Sequence, residues 1–370
     1  MSIGTLSLNI NTHDLNYGAL LHTWAFQHLL INKFKVETEV IDYVTPQFEN
    51  RILKYPWINS IKEKKYRDFF LEIIKSKKFA TRYNKFQGFI KNNIVVSSLH
   101  YNQKTLNESI LPYDTIICES DVIWSTDFFR GAFDKTFFCA LDSMQNMKKI
   151  IYAASMGNGD LDEKQAKELK LFVKDIVYLS CRESYAVDIV QRYTNEKVYH
   201  VLDPVLLLDE KDYENIIDVP IIKEPYLLLY LPVGYNKYLV EQAHLYAQKH
   251  NLVIIEVSNS LRSYCKHRII RDAGIEEFLS LIKNAEAVFS DSFHAVCFSV
   301  IFHKEFYAFS RQTGKKIEDI CNQLNLNNRF INSSFVEQRS VDYVNVDKIL
   351  KDRRIASLKF LETALIQYTK

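Results

Sequence analysis

The chain has 370 residues, more than one hydrophobic core usually organises, so two domains are expected. Its 47% hydrophobic and 25% charged residues are the makeup of a globular chain and exclude a disordered one. The net charge of +2 conceals a skew, with 12 Lys/Arg against 3 Asp/Glu in residues 51–91 and an acidic remainder, a distribution that argues against a general nucleic-acid binder.

Strand-like and helix-like segments alternate along the chain. Residues 5–10 read as a first strand, 19–31 as a helix and 36–44 as a second strand. A helical insertion follows near 47–95. Within it Tyr66, Phe69, Phe70, Ile73 and Ile74 recur at helical spacing beside Lys64, Lys65, Lys75, Lys77 and Lys78, the pattern of a basic amphipathic helix. Two readings stay open for this insertion. Either the aromatic stripe packs onto the domain and the lysines are solvated, or the segment meets an anionic bilayer or a polyanionic substrate.

Further strands are expected at 115–118, 149–154, 177–181 and 198–202, with helices at 163–174 and 185–193 between them. Pro220 and Pro225 punctuate a linker, and the pattern then restarts. Strands at 226–231, 252–257, 287–289 and 306–309 alternate with helices at 237–249, 275–284, 295–303 and 317–324. The prediction is an α/β protein of two doubly wound, Rossmann-like domains. The first spans 1–215 with the insertion, the second spans 216–340, and a helical segment at 341–370 can return to the first.

No apolar run reaches membrane-spanning length and residues 1–8 lack the order of a secretion signal, so a cytoplasmic location is expected, with the insertion allowing peripheral contact at the inner membrane face. Cys118, Cys139, Cys181, Cys265, Cys297 and Cys321 are scattered without a C-x-x-C pair, which suits buried free thiols.

In this architecture ligands bind beyond the carboxyl ends of the strands, so polar residues just after strand ends are the candidates. His294 stands at the start of an apolar helix, after Ser290, Asp291 and Ser292, where free backbone N–H groups favour an anion and lower the pKa of an imidazole. Asn16 and Gly18 precede the first helix, and Gly18 offers a close backbone approach to a substrate. Ser120 and Asp121, Ser155 and Gly157, and Arg182 and Glu183 follow three successive strands, and Arg311 follows the last. Taken singly, Asn16 and Ser155 also suit helix caps, and Arg182 also suits an ion pair with Glu183 or Asp203. His22, His28 and His303 lie on helix faces and read as satisfied core or surface histidines. Asp160-Leu161-Asp162 matches a D-x-D metal motif but lies at the polar start of a helix, so it reads as capping. No P-loop, G-x-G-x-x-G, H-E-x-x-H or nucleophile elbow is present.

Six ordered motifs resemble those of the polysaccharide pyruvyl transferases. They are Asn16-Tyr17-Gly18-Ala19, Ser120-Asp121-Val122-Ile123-Trp124, Tyr152-Ala153-Ala154-Ser155-Met156-Gly157, Arg182-Glu183, Asp203-Pro204-Val205-Leu206-Leu207 and Asp291-Ser292-Phe293-His294-Ala295. The chain departs from the family's usual pattern at Glu119 and Ala295, where glycine is usual, and at Val122, where glutamine is usual. The resemblance implies a fold similar to the glycosyltransferase B architecture and transfer of pyruvate from phosphoenolpyruvate, the donor substrate, to a galactose-type sugar of a polysaccharide precursor. That precursor can be linked to a lipid diphosphate. No metal or other cofactor is expected. Under this reading His294 is the general acid, Arg182 grips the donor in bidentate fashion and Asp121 orients or deprotonates the acceptor hydroxyl. Asn16, Gly18, Ser155, Ser292 and Arg311 would bind substrate. The alternatives are a sugar-nucleotide glycosyltransferase of the same fold and a non-catalytic glycan-binding protein.

Overall fold

The computed structural model describes residues 2–8, 15–218, 222–232, 234–258, 267–310 and 314–366. Strands β1 (Ser2–Leu6), β2 (Glu37–Tyr43), β3 (Val96–Tyr101), β4 (Thr115–Glu119), β5 (Lys148–Ala154), β6 (Tyr178–Cys181) and β7 (Val198–His200) form one sheet in the order β3-β2-β1-β4-β5-β6-β7. Every pair in it is parallel. Its helices are α1 (Tyr17–Asn32), α2 (Trp57–Lys62), α3 (Tyr66–Ile74), α4 (Ser76–Asn93), α5 (Gln103–Glu108), α6 (Glu163–Val173) and α7 (Ser184–Gln191). A short α8 (Glu210–Glu214) leads to the second domain. There β8 (Tyr226–Leu231), β9 (Val253–Ser258), β10 (Arg268–Ile270), β11 (Ala287–Ser290), β12 (Glu305–Phe309) and β13 (Phe330–Ile331) form a second parallel sheet, ordered β10-β9-β8-β11-β12-β13. Helices α9 (Lys237–Lys249), α10 (Ile275–Lys283), α11 (Phe293–Ile301), α12 (Lys315–Gln323) and α13 (Tyr343–Ile366) cover it and close the chain.

Central strands such as β4 and β8 are buried at every residue, as parallel strands covered on both faces must be, and their apolar runs made them readable in the sequence. The sequence pattern missed β3, β10 and β13. All three are edge strands; β3 is largely exposed and polar, and the other two span three and two residues, so none carries an apolar run. Asp162 caps α6 in a reciprocal box with Gln165, the capping role read for the D-x-D stretch. Cys118, Cys139, Cys181, Cys297 and Cys321 are buried free thiols, while Cys265 lies outside the described residues.

Each strand order reverses direction once, at β1/β4 in the first sheet and β8/β11 in the second, and such switch points open a crevice at the carboxyl ends of the strands. The helices that leave these points, α1 and α11, belong to one continuous apolar core that crosses the domain junction. Tyr17 fixes the alignment. Its ring stacks on Phe278 of α10 at 4.2 Å and its hydroxyl donates to the Ala273 carbonyl at 2.9 Å. Helix α13 starts on the second domain, where the Tyr343 hydroxyl donates to the Ser299 carbonyl at 3.1 Å. It ends on the first, with Phe360 against Tyr152 and Tyr199 and the Ser357 hydroxyl accepting from the Leu202 amide at 2.9 Å.

Candidate active site

Two helix starts meet where the domains join. Ser292 takes the N-cap of α11, its hydroxyl accepting from the Ala295 amide at 3.4 Å, and the buried His294 follows in the first turn. Asn16 caps α1 in the same way, accepting from the Ala19 amide at 3.3 Å. Both side chains, expected to bind substrate, are thus engaged as caps. A Cβ on Gly18 would lie 2.1 Å from His294 Nδ1, so the glycine admits an imidazole from the opposite domain.

After β4 the chain turns through two consecutive left-handed residues, Ser120 at φ 47° and Asp121 at φ 55°. A conformation that costs of order 1–3 kcal/mol at each non-glycine residue persists only where its surroundings impose it. Here the Ser120 amide donates to the Tyr152 carbonyl at 2.8 Å and the Ser155 amide to the Asp121 carbonyl at 3.0 Å. The turn brings Glu119 and Asp121 into a buried cluster with His22, Arg182, Glu183, Asp203 and His294. Ser155 lies at its edge, its hydroxyl accepting from the Gly157 amide at 3.3 Å.

Arg182 does not present a free fork. Its side chain is 1% exposed, Nε donates to Glu183 at 2.9 Å and Nη1 to Asp203 at 2.7 Å. Its guanidinium also lies 4.3 Å over the Phe293 ring, so it ties the start of α11 to the first domain. Only Nη2 is left without a hydrogen bond, 3.6 Å from Asp121. The bidentate grip on a donor is therefore replaced by a fixed, internally compensated cation, because three carboxylates gather around it. Asp203 is held from three sides, by Arg182, by the Ser120 hydroxyl at 2.8 Å and by the Val205 amide at 3.1 Å.

The two histidines of this cluster are driven in opposite directions. Burial pushes the His294 imidazole down to about 4; Asp203 and Asp121 oppose this, while Arg182 and His22 reinforce it. His294 is thus neutral at pH 7, and burial with nearby cations, more than the helix terminus invoked from sequence, makes it so. Its Nε2 is buried without a hydrogen bond, 3.9 Å from Asp203. Burial also opposes a charge on His22, but Glu119 and Asp121 outweigh it and raise His22 to about 10. His22 Nδ1 bonds Glu119 at 2.9 Å, Thr23 donates to the other Glu119 oxygen at 2.9 Å, and Nε2 faces Asp121 at 3.8 Å. The His22 and His294 rings lie parallel, 6.0 Å apart. Burial would raise the Asp121 carboxyl, but His22 and then Arg182 hold it well below the usual carboxylate range.

Sequence reasoning placed His22 among the satisfied core histidines, and its partner Glu119 is 97 residues away. The available signal was α1 itself, apolar around its whole circumference, in which a buried histidine requires a partner. Lys316 in α12 was also missed. It is half-buried, and its ammonium is lowered first by burial and then by Arg182, while Asp121, Glu183 and Asp203 attract it. Arg311 lies outside the described residues.

The charge on His22 has a measurable consequence. Its folded pKa of about 10 lies above the ordinary value of 6.5, so its stabilisation is complete below 6.5 and is lost as pH rises through about 10. The Tm of the protein relative to His22→Gln is expected to fall across that window. A pH-independent difference would show that His22 is uncharged in the folded state.

The two-domain arrangement has solved counterparts. The UDP-N-acetylglucosamine 2-epimerase of Rickettsia bellii superposes with a TM-score of 0.56 at 12% identity, covering 100% of this chain and 96% of that one. Arabidopsis thaliana UGT89C1, complexed with UDP-L-rhamnose, matches at 0.45 and 10% identity over 100% and 95% of the two chains. The Escherichia coli heptosyltransferase WaaC, with ADP-2-deoxy-2-fluoro heptose, matches at 0.40 and 10% identity over 95% and 99%. The first likeness supports the two-domain glycosyltransferase B fold. No curated protein sequence matches the chain. A family model described as polysaccharide pyruvyl transferase matches residues 16–313, a span that includes every member of the buried cluster.

Proposed function

The chain belongs to the polysaccharide pyruvyl transferase family, and from that premise we propose that it transfers pyruvate from phosphoenolpyruvate to a galactose-type sugar of a polysaccharide precursor, forming a pyruvate ketal. The observation that carries this reading is one buried cluster, at the meeting of two helix starts, that combines a neutral imidazole, an ionised aspartate and a fixed guanidinium.

The chemistry divides among these groups. A proton moves from His294 to the methylene carbon of the enol, leaving electron deficiency at the carbon that bears the phosphate. One acceptor hydroxyl adds there and its proton returns to His294. A second hydroxyl then displaces the phosphate, which leaves with the second proton, and the ketal closes. Asp121 is a poor proton acceptor at its lowered pKa, so its part is to orient the hydroxyl and to stabilise the cationic carbon electrostatically. Arg182 and His22 position Asp121 and keep it ionised. Lys316 and the backbone N–H groups at the start of α11 supply the donor contacts that Arg182 does not. The acceptor in this reading is carried on a lipid diphosphate at the inner membrane face.

His294 has to gain a proton before it can give one. Bound phosphoenolpyruvate would supply negative charge that offsets the repulsion from Arg182 and His22, raising the imidazole. Titration calorimetry near pH 7 in buffers of different ionisation enthalpy is expected to show uptake of about one proton per donor bound. Zero uptake would remove His294 as the acid. The overall reading is tested by incubation with phosphoenolpyruvate and galactose-containing acceptors, with release of inorganic phosphate and a pyruvylated product by mass as the expected result. A Tm increase with a sugar nucleotide but not with phosphoenolpyruvate would point instead to glycosyl transfer.

A further inference from the structure

The insertion between β2 and β3 resolves into two unlike parts. Helix α4 belongs to the fold. Its Phe86 and Phe89 are buried, its Arg82 lies 4.7 Å over the Tyr17 ring, and its Lys85 pairs with Glu277 of the second domain. Helix α3 does not, since none of its residues is buried. Tyr66, Phe70 and Ile73 follow one another at four- and three-residue spacing and are 62%, 63% and 42% exposed, with Ile74 beside them at 78%. Ile61 at the end of α2 extends the surface, and inward ring contacts from Phe70 to Phe69 and from Phe69 to Trp57 fix its shape. Single exposed apolar residues are ordinary, but several large ones on one short helix mark a contact surface.

Its rim is cationic. Lys62, Lys64, Arg67 and Lys77 are exposed and form no ion pair among the described residues, and Lys75 lies between them. Acidic neighbours reduce this charge without cancelling it, since Glu63 is shared by Arg51 and Lys65, Asp68 and Glu72 are half-buried on α3, and residues 62–77 hold six cations against three carboxylates. Like charge around the rim opposes stacking of a second copy, whereas an anionic bilayer complements both the apolar centre and the basic border. We propose that α3 and the adjoining end of α2 form a docking surface for membranes containing anionic lipid. The aromatic and aliphatic side chains enter the headgroup boundary and the cations meet lipid phosphates. No described helix is long and apolar enough to span a bilayer, so the contact is interfacial. The placement suits the site. The insertion reaches the junction through Arg82 on Tyr17, next to Gly18 and His294, so a docked protein would hold its site close to acceptors carried by lipid. Only this last link rests on the proposed acceptor; the surface itself does not.

The test is co-sedimentation of the full chain with phosphatidylcholine vesicles, with and without phosphatidylglycerol, at low and high salt. Each cation near an anionic surface favours binding by about five-fold, so sedimentation is expected to rise at least ten-fold with phosphatidylglycerol and to fall with salt. Lys62→Glu/Lys64→Glu/Lys77→Glu is expected to lose that gain, and Phe70→Ser/Ile74→Ser to lose most binding, with unchanged Tm and unchanged phosphate release from phosphoenolpyruvate in the presence of soluble acceptors. Equal sedimentation on both vesicle types, or variants that bind like the parent, would overturn the proposal. So would a concentration-dependent dimer that Phe70→Ser/Ile74→Ser abolishes in a protein that ignores vesicles. Vesicle binding is read independently of catalysis, so failure of pyruvyl transfer and failure of docking are separate results.

Discussion

His294→Ala is expected to fold, to bind phosphoenolpyruvate about ten-fold more weakly at pH 7 because the proton taken up with the donor is lost, and to lose pyruvyl transfer by about 10²- to 10⁴-fold in kcat, the usual worth of a positioned acid or base. Retention of the fold follows from the state of the imidazole. It is neutral, its Nε2 makes no hydrogen bond, and its removal strips no buried charge of a partner. Donor binding is weakened and not abolished, because Lys316 and the α11 amides remain. A second variant separates chemistry from packing. Gly18→Ala alone places a Cβ 2.1 Å from the His294 ring and 2.6 Å from the His294 Cβ and is expected to disturb the junction, whereas the His294→Gly background removes all three of the atoms that this Cβ would meet first. Recovery of Tm without recovery of turnover in the double variant would assign the loss to the proton carrier. Near-normal turnover of His294→Ala would remove this histidine from the mechanism.

Arg182→Met is expected to be among the most destabilising single substitutions available in this protein. It leaves Asp203, Glu183 and Asp121 buried with the guanidinium between them gone. Breaking a buried pair from one side costs about 3–5 kcal/mol, which for a domain of this size lowers Tm by roughly 10 °C. Arg182→Lys is expected to recover little, because one ammonium cannot reach Glu183 and Asp203 in the geometry that Nε and Nη1 satisfy. Thermal unfolding followed by circular dichroism checks both variants. If Arg182 instead held the donor, Arg182→Met would keep its Tm and show only a raised KM. The two outcomes distinguish a positioning cation from a substrate ligand.

Local and non-local information divide at His294 and Arg182. The alternating apolar runs, the Ser292 cap and the apolar α11 are written in contiguous residues, and they suffice to place His294 at a helix start beyond a strand end. The same holds for Asp121 and Arg182, each next to the last residue of a central strand or its turn. Chain topology then brings Asp121 and His294 to the switch points, where a parallel sheet wound in two directions opens, and Arg182 reaches them from the end of β6. The edge strands escaped because their half-exposed, short sequences carry no such run.

The two wound sheets, the helix starts that flank them and the polar residues at the strand ends follow from contiguous residues, since short-range periodicity and capping act within a few positions. How those residues are occupied follows from packing between distant segments. Arg182 became a buried keystone because Glu183, Asp203 and Asp121 converge on it, His22 of α1 became a cation because Glu119 and Asp121 at the end of β4 meet it, and Gly18 serves His294 because the domains close on each other there. The same packing leaves the apolar face of α3 outside the core while α4 is buried. The physical reason is common to all four. Burial and the charge of a neighbour set the state of an ionisable or apolar side chain, and those neighbours arrive from segments far away in the chain, which no local pattern records.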